Sequence, residues 1–301
     1  RVDVLELASF AGTQRLVFID GETPTPMLEA DPVAPNAAGV GIRDALAALP
    51  FRVLAPRDVL SIGAGGGYDV VVARSFGAER VDAVELNAGV LEVVEAAREF
   101  TGDVYRQPGV RLHHAEGRQF VRRAPPASWD LVVMALAQSL AGNLREYALS
   151  ENYLYTRQAF EDYLRALRPG GGLALLVSNE TVMRKLLRTA LEVLQAHGQP
   201  AADCVAALSS PQESPYDHLV LLRASPFAPR ELEALSREVE QRRYRVLHLP
   251  VGAAAGASQR TADDLDGGGR LRLEPATDDR PFFFNLERGA PRALRSLLAI
   301  S

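Results

Sequence analysis

From residue 58 onward, short apolar runs alternate with stretches in which apolar residues recur every three or four positions. The runs at 59–62, 80–84, 110–114, 130–135 and 173–178 read as strands, the first of them buried and 130–135 continuously apolar, and 68–76, 88–100 and 181–197 as helices. In 88–100, for instance, Val90, Leu91, Val94 and Ala97 share one face. Such alternation predicts an α/β fold, with a mostly parallel sheet covered by helices on both faces. Two more strands, 204–208 and 218–222, follow with only a Pro-containing loop between them; as an antiparallel pair they bring the expected sheet to seven strands. The segment 168–172, Arg-Pro-Gly-Gly-Gly, reads as a turn. Ahead of the sheet, 2–29 reads as short strands with an Asp20-Gly21 hairpin turn, Pro32 and Pro35 mark a linker, and 40–49 has helical spacing. Behind it come a charged helix at 229–242, a strand at 244–249, a Gly/Ala-rich loop and the block ATDDRPFFFNL. In that block Asp278 and Asp279 read as turn residues and 282–284 as a buried strand. The expected division is a small N-terminal β appendage over 1–38, the main α/β domain over 39–225 and an extension over 226–301.

The first strand of the sheet breaks into Gly63-Ala64-Gly65-Gly66-Gly67, a GxGxG turn leading into a helix. A glycine turn at that point lets the backbone approach a nucleoside. About 20 residues on, the second strand ends in Glu85, where an acid meets two ribose hydroxyls. The dinucleotide fingerprint wants a further glycine where this chain has Tyr68, which argues against NAD and FAD. S-adenosylmethionine, an adenosine with a short amino-acid tail and no pyrophosphate, suits the turn better.

A net charge of −5 gives no overall basic field, so nucleic acid is not an expected partner. One cysteine, Cys204, excludes an internal disulfide and a multi-cysteine metal site, and it reads as core. Trp129 reads as core as well. His113 and His114 are neighbours on a strand, so at most one can face a given site. The apolar runs are far too short to cross a bilayer, and Arg1 opens no signal-peptide pattern, so a cytoplasmic location is expected.

The hairpin RLVFIDG, the turn IGAGGG, VELN with Glu85, the AEGRQF segment, WDLVVM and the ending LRPGGGLALLV together resemble the spermidine synthase family of polyamine aminopropyltransferases. That family is built on the Rossmann-like class I methyltransferase fold. SENYLYTRQAFEDYL and TDDRPFFF are similar to a subgroup of spermidine synthase-like proteins, many of which carry the domain beside transmembrane helices. The resemblance implies that the chain is the soluble domain of a longer membrane protein, and that it forms a homodimer through its N-terminal strands. It also implies a cofactor site at Gly63, Ala64, Gly65, Gly67, Glu85, Leu86, Glu116, Gly117 and Ala135. In it the glycines wrap the methionine-like end, Glu85 holds the ribose and Glu116 faces the adenine amino group.

Three carboxylates of the aminopropyltransferases are replaced, at Gly66, Ala135 and Gln138. An attacking amine with a pKa of roughly 10 needs a base, and glutamine cannot take a proton. The loop 136–155 lies past the fourth strand, where an open α/β sheet places its substrate crevice. It supplies Gln138, Glu151 and Tyr153 as candidate catalytic residues, with Glu146 as another substitute acid. The expectation is therefore a transferase using S-adenosylmethionine, a methyltransferase acting on a small or polar acceptor. The alternatives are a polyamine aminopropyltransferase with relocated acids, which uses decarboxylated S-adenosylmethionine, and a non-catalytic nucleoside-binding regulatory domain of a membrane protein.

Overall fold

The computed structural model describes residues 2–9, 12–19, 25–30, 42–135, 151–211, 217–253, 265 and 271–286. Strands β1 (Val2–Ser9), β2 (Gly12–Ile19) and β3 (Thr25–Leu28) form a three-stranded antiparallel sheet in that order. The Asp20-Gly21 turn and the Pro32–Pro35 linker lie outside the described residues.

The main unit follows as α1 (Leu49–Leu54), β4 (Asp58–Ile62), α2 (Tyr68–Ser75), β5 (Arg80–Glu85), α3 (Ala88–Ala96), α4 (Arg98–Thr101), β6 (Val110–His114), α5 (Gly117–Arg123) and β7 (Trp129–Ala135). It continues through α6 (Arg157–Ala166), β8 (Leu167–Val177), α7 (Glu180–Ala196), β9 (Val205–Ser209), β10 (His218–Arg223), α8 (Pro229–Arg242) and β11 (Arg245–His248). The second sheet has the order β11-β9-β10-β8-β7-β4-β5-β6. The block from β8 to β6 is parallel, whereas β10 runs antiparallel to both β8 and β9. The chain winds outward from β4 through β5 to β6, then returns to lay β7 on the other side of β4. That reversal places a crevice at the carboxyl ends of β4 and β7.

Alternate residues of each central strand feed two hydrophobic cores, one per face of the sheet. Leu131, Val133 and Ala135 of β7 enter one, and Val132 and Met134 the other. Runs buried on both sides must be continuously apolar, which is why these strands were legible.

The structure departs from the sequence expectations at four places. The sheet has eight strands, because β11 pairs antiparallel with β9. The helix expected over 40–49 is replaced, among the described residues, by 3-10 turns at Ile42–Asp44 and Leu46–Ala48 ahead of α1. Pro50 has no N–H to donate backward, so it is tolerated only in the first turn of a helix that begins there. Strand β8 starts at Leu167 and runs through the expected Arg168–Gly172 turn. Its register against β7 shifts between Trp129 and Leu131, and Gly171 passes so close that a Cβ would lie 2.9 Å from the Asp130 carbonyl oxygen. Finally, 282–284 is not a buried strand: Phe282 is exposed, and Phe283 and Phe284 form a turn that is fully buried against Tyr155, with ring centroids at 5.0 and 6.2 Å.

Lys185, the only lysine of the chain, fastens this block to α7. Its Nζ donates to the Phe283 carbonyl at 2.6 Å and lies 5.0 Å from the Phe283 ring centroid. Burial pushes the ammonium down from 10.5 to about 8. Between those values the unfolded chain binds more protons than the folded one, so this group's contribution to stability rises with pH. The full shift corresponds to about 3 kcal/mol. Urea unfolding of the wild type and Lys185→Met from pH 7.5 to 9.5 should show a rising difference in favour of the wild type. Parallel pH curves would refute it.

No helix among the described residues is long and apolar enough to cross a membrane.

Candidate functional site

The glycine turn between β4 and α2 is held from all sides. Gly63, Gly65 and Gly67 have φ of 73°, 55° and 88°, a conformation that only glycine adopts freely. Gly63 and Ala64 donate to the Val84 carbonyl at 2.8 and 3.0 Å. Gly65 N–H donates to Glu85 Oε2 at 3.0 Å, Gly66 N–H to Thr25 Oγ1 at 2.8 Å, and Gly67 N–H to the Ala64 carbonyl at 2.9 Å. All five N–H groups are thus spent on protein acceptors, leaving none to cradle a pyrophosphate. That fits a nucleoside carrying no phosphate.

Strand β3 of the small sheet lies directly on this turn. A Cβ on Gly65 would collide with Thr25 and one on Gly66 with the Pro26 backbone. The close approach that these two glycines permit is therefore to β3. Gly66→Asp, which would restore an acid at this position, should lower stability by roughly 1–3 kcal/mol as β3 is forced away. An unchanged melting temperature would show that β3 yields freely.

Glu85 is buried at the end of β5 and spends one oxygen on Gly65 N–H and the other on Asn87 N–H at 2.7 Å. A carboxylate accepts about four hydrogen bonds, so two positions are left for a ribose diol. Tyr105, absent from the sequence reading, donates its buried hydroxyl to the Gly65 carbonyl at 2.6 Å. Asp69, in the first turn of α2, is another missed residue: its Oδ2 lies 3.5 Å from Ser61 Oγ, and burial pushes its carboxyl up to about 7.

Past the end of β5, a cleft of about 880 Å³ is lined by Leu86, by Glu116, Arg118 and Gln119 of the α5 start and Arg122 and Arg123 of its last turn, by Glu151 to Leu154 ahead of α6, and by Asp278. Four residues singled out from sequence therefore meet here: Leu86, Glu116, Glu151 and Tyr153. Leu86 is 63% exposed, an apolar side chain standing free at the edge of the cleft. Tyr153 donates to Glu151 Oε2 at 3.0 Å, and that hydrogen bond holds the phenol above its ordinary value. Glu116 serves α5 as N-cap, accepting from Arg118 and Gln119 N–H at 2.9 and 2.7 Å. Gly117 lets α5 approach β4, since a Cβ there would collide with Ile62. Ala135 ends β7 and is buried. Gln138 and Glu146 lie outside the described residues. His113 faces elsewhere, bonded to Asp82 at 2.8 Å, and His114 is exposed on the Leu86 carbonyl at 3.0 Å.

Part of the chain, 120 residues amounting to 38% of it, is 36% identical to spermidine synthase 1 of Hyoscyamus niger. The spermidine synthase of Solanum lycopersicum matches at 34% over the same length. Over that stretch the chain is similar to spermidine synthases. The matched stretch spans about a third of the length of these curated relatives, at 35% and 32%. No family model matches. Among solved structures, a probable spermidine synthase from Corynebacterium glutamicum is similar with a TM-score of 0.57 and 17% identity, over 86% of this chain and 96% of that one. A spermidine synthase in complex with the transition state analogue AdoDATO is similar with a TM-score of 0.51 and 14% identity, over 100% of this chain and 84% of that one. At such identities these structures establish the shared class I methyltransferase-like fold.

The cleft wall is built around Arg118, which the sequence reading quoted within AEGRQF without assigning it a role. Its buried guanidinium donates to both oxygens of Asp278 at 2.6 and 2.8 Å, and to Asp162 at 3.0 Å. Burial opposes that charge, but the two carboxylates outweigh it and hold the group protonated. Thr156, the N-cap of α6, also donates to Asp278 at 2.7 Å, and Asn152 N–H to the Pro281 carbonyl at 2.7 Å. The TDDRP segment is thereby fixed against 152–158, and its first aspartate becomes a wall of the cleft.

Proposed function

We propose that the chain is the nucleoside-binding part of a transferase that moves an aminopropyl group from decarboxylated S-adenosylmethionine to a small polyamine-type amine. The observation that carries this reading is the cleft at the carboxyl ends of the strands, where Glu151 and Tyr153 stand beside Leu86 and Glu116. The methyltransferase expectation rested on carboxylates missing from Gly66, Ala135 and Gln138. The cleft offers a carboxylate from another position, Glu151, held by the Tyr153 hydroxyl, while Asp278 is committed to Arg118. The similarity to spermidine synthases supports the same choice.

In this reading Glu85 holds the ribose through its remaining acceptor positions, and Leu86 covers one face of the base. When bound, the sulfonium nucleoside would supply the electrophilic carbon, whose C–S bond breaks as the C–N bond forms, and would leave as the neutral thioether. Glu151 draws in the acceptor as an ammonium ion and removes its proton, because only the neutral amine has a lone pair to attack with. The Tyr153 hydroxyl orients that carboxylate. In this reading 39–225 carries the nucleoside-binding residues, with 1–38 ahead of it and 226–301, which adds α8 and β11 to the same main unit, behind it.

Methyl transfer is the second reading, and Gly66 is the observation in its favour. With β3 packed on Gly66, no acid stands there to accept the free amine of the decarboxylated cofactor. Calorimetric titration with the two cofactors separates the readings. Tighter binding of the decarboxylated form, with product from putrescine, is the expected result. Tighter binding of intact S-adenosylmethionine would overturn it in favour of methyl transfer. Binding of either without transfer to any amine would leave a regulatory nucleoside-binding module.

A further inference from the structure

A second cleft, of about 680 Å³, opens at the amino ends of the parallel strands and meets the first at Arg123, which lines both. Asp58, Arg80 and Trp129, the first residues of β4, β5 and β7, all line it. Four guanidinium groups, those of Arg80, Arg111, Arg123 and Arg168, line it with two carboxylates, Asp58 and Asp82, and a third, Asp130, lies against Arg168. In a chain of net charge −5 this is a local excess of positive charge.

The carboxylates are already committed. Asp58 accepts from both Arg80 and Arg168, and Arg168 also reaches Asp130 at 3.1 Å. Asp82 gives one oxygen to His113 Nε2 at 2.8 Å and the other to Trp129 Nε1 at 2.9 Å. Arg111 sits beside Asp82 in the β5–β6 register, two residues from His113 on the same face of β6. With Asp82 occupied, Arg111 makes no hydrogen bond or ion pair among the described residues, and neither does Arg123 in the last turn of α5. An aromatic wall stands with them. The His113 and Phe120 rings lie 4.5 Å apart, and Phe120 and Trp129 6.0 Å apart, centroid to centroid.

Two uncommitted guanidinium groups beside ring faces, in a cleft of ligand-binding size, form a recognisable receptor. We propose that this cleft binds a small aromatic anion, with a phosphate or carboxylate gripped by Arg111 and Arg123 and a flat ring laid against His113 and Phe120. The bland account assigns Arg123 to the carboxyl-terminal dipole of α5 and Arg111 to the protection of an edge strand. It explains each charge separately and gives neither a reason to act together.

Trp129 is the only tryptophan of the chain and lines the cleft, so its emission reports occupancy directly. The probe is phenyl phosphate, which has no nucleoside to engage Glu85. It should change the emission saturably at submillimolar concentration, and more tightly than inorganic phosphate does. Sodium chloride at matched ionic strength should have no such effect. Arg111→Ala should weaken phenyl phosphate roughly tenfold or more, the scale of one charge-assisted contact, with melting in plain buffer unchanged. A linear, unsaturable response, or equal affinity in Arg111→Ala, would overturn the proposal. Inorganic phosphate binding as tightly as phenyl phosphate would overturn the aromatic assignment.

Discussion

Arg118→Ala should lower stability by about 3 kcal/mol, because it leaves Asp278 and Asp162 facing each other without the cation that both were built around. For a chain of this size that is a fall in melting temperature of roughly 6–12 °C. The damage should be local before it is global. Asp278 loses its bidentate partner and keeps the Thr156 hydroxyl on its carboxylate and Gln158 Oε1 on its own N–H, so the segment 271–286 should become open to proteolysis under native conditions. Arg118→Lys restores a charge but not a planar fork, and should recover part of the loss. Full stability in Arg118→Ala, read by differential scanning calorimetry, would show that the core around Phe283 and Phe284 holds the block without the ion pair.

Glu151→Gln should reduce turnover of an amine acceptor roughly 10²–10⁴-fold, the usual worth of a positioned general base. Glutamine keeps the length and still accepts from Tyr153, so nucleoside binding and fold should be preserved. Raising the pH should partly rescue the variant as more acceptor becomes neutral. Tyr153→Phe should cost less, since it removes only an orienting hydrogen bond. Wild-type turnover in Glu151→Gln would remove Glu151 from the mechanism and leave the base to be sought elsewhere.

Much of the central sheet was legible because parallel strands buried on both faces must be apolar without interruption, as in 59–62 and 130–135. The turn at Gly63–Gly67 was legible for the same reason: three alternate glycines have few uses other than positive φ. What those glycines make room for was not legible. The nearest neighbour of Gly66 is Pro26, forty residues earlier, and long-range contacts of that kind leave no trace in local pattern. The path of β8 through Pro169 and three glycines defeated the usual rule that such residues mark turns, because close packing against β7 rewards small residues too. Of the candidate site, Leu86, Glu116, Glu151 and Tyr153 were read from resemblance and position, and the cleft unites them. Arg118 and Tyr105 were missed because each acts through a partner distant in sequence, Asp278 in one case and the Gly65 carbonyl in the other.

The burial of the single lysine has a chemical consequence for the whole surface. All other basic side chains that carry fixed charge are arginines, which do not react with acylating reagents, and Lys185 is only 2% exposed beneath Phe283. The folded chain therefore offers no lysine amine to acetyl donors, succinimidyl esters or isopeptide-forming enzymes. Modification of Lys185 would occur only in molecules whose α7 and terminal block have separated, so the rate of acylation at that one residue is a clock for how often they do.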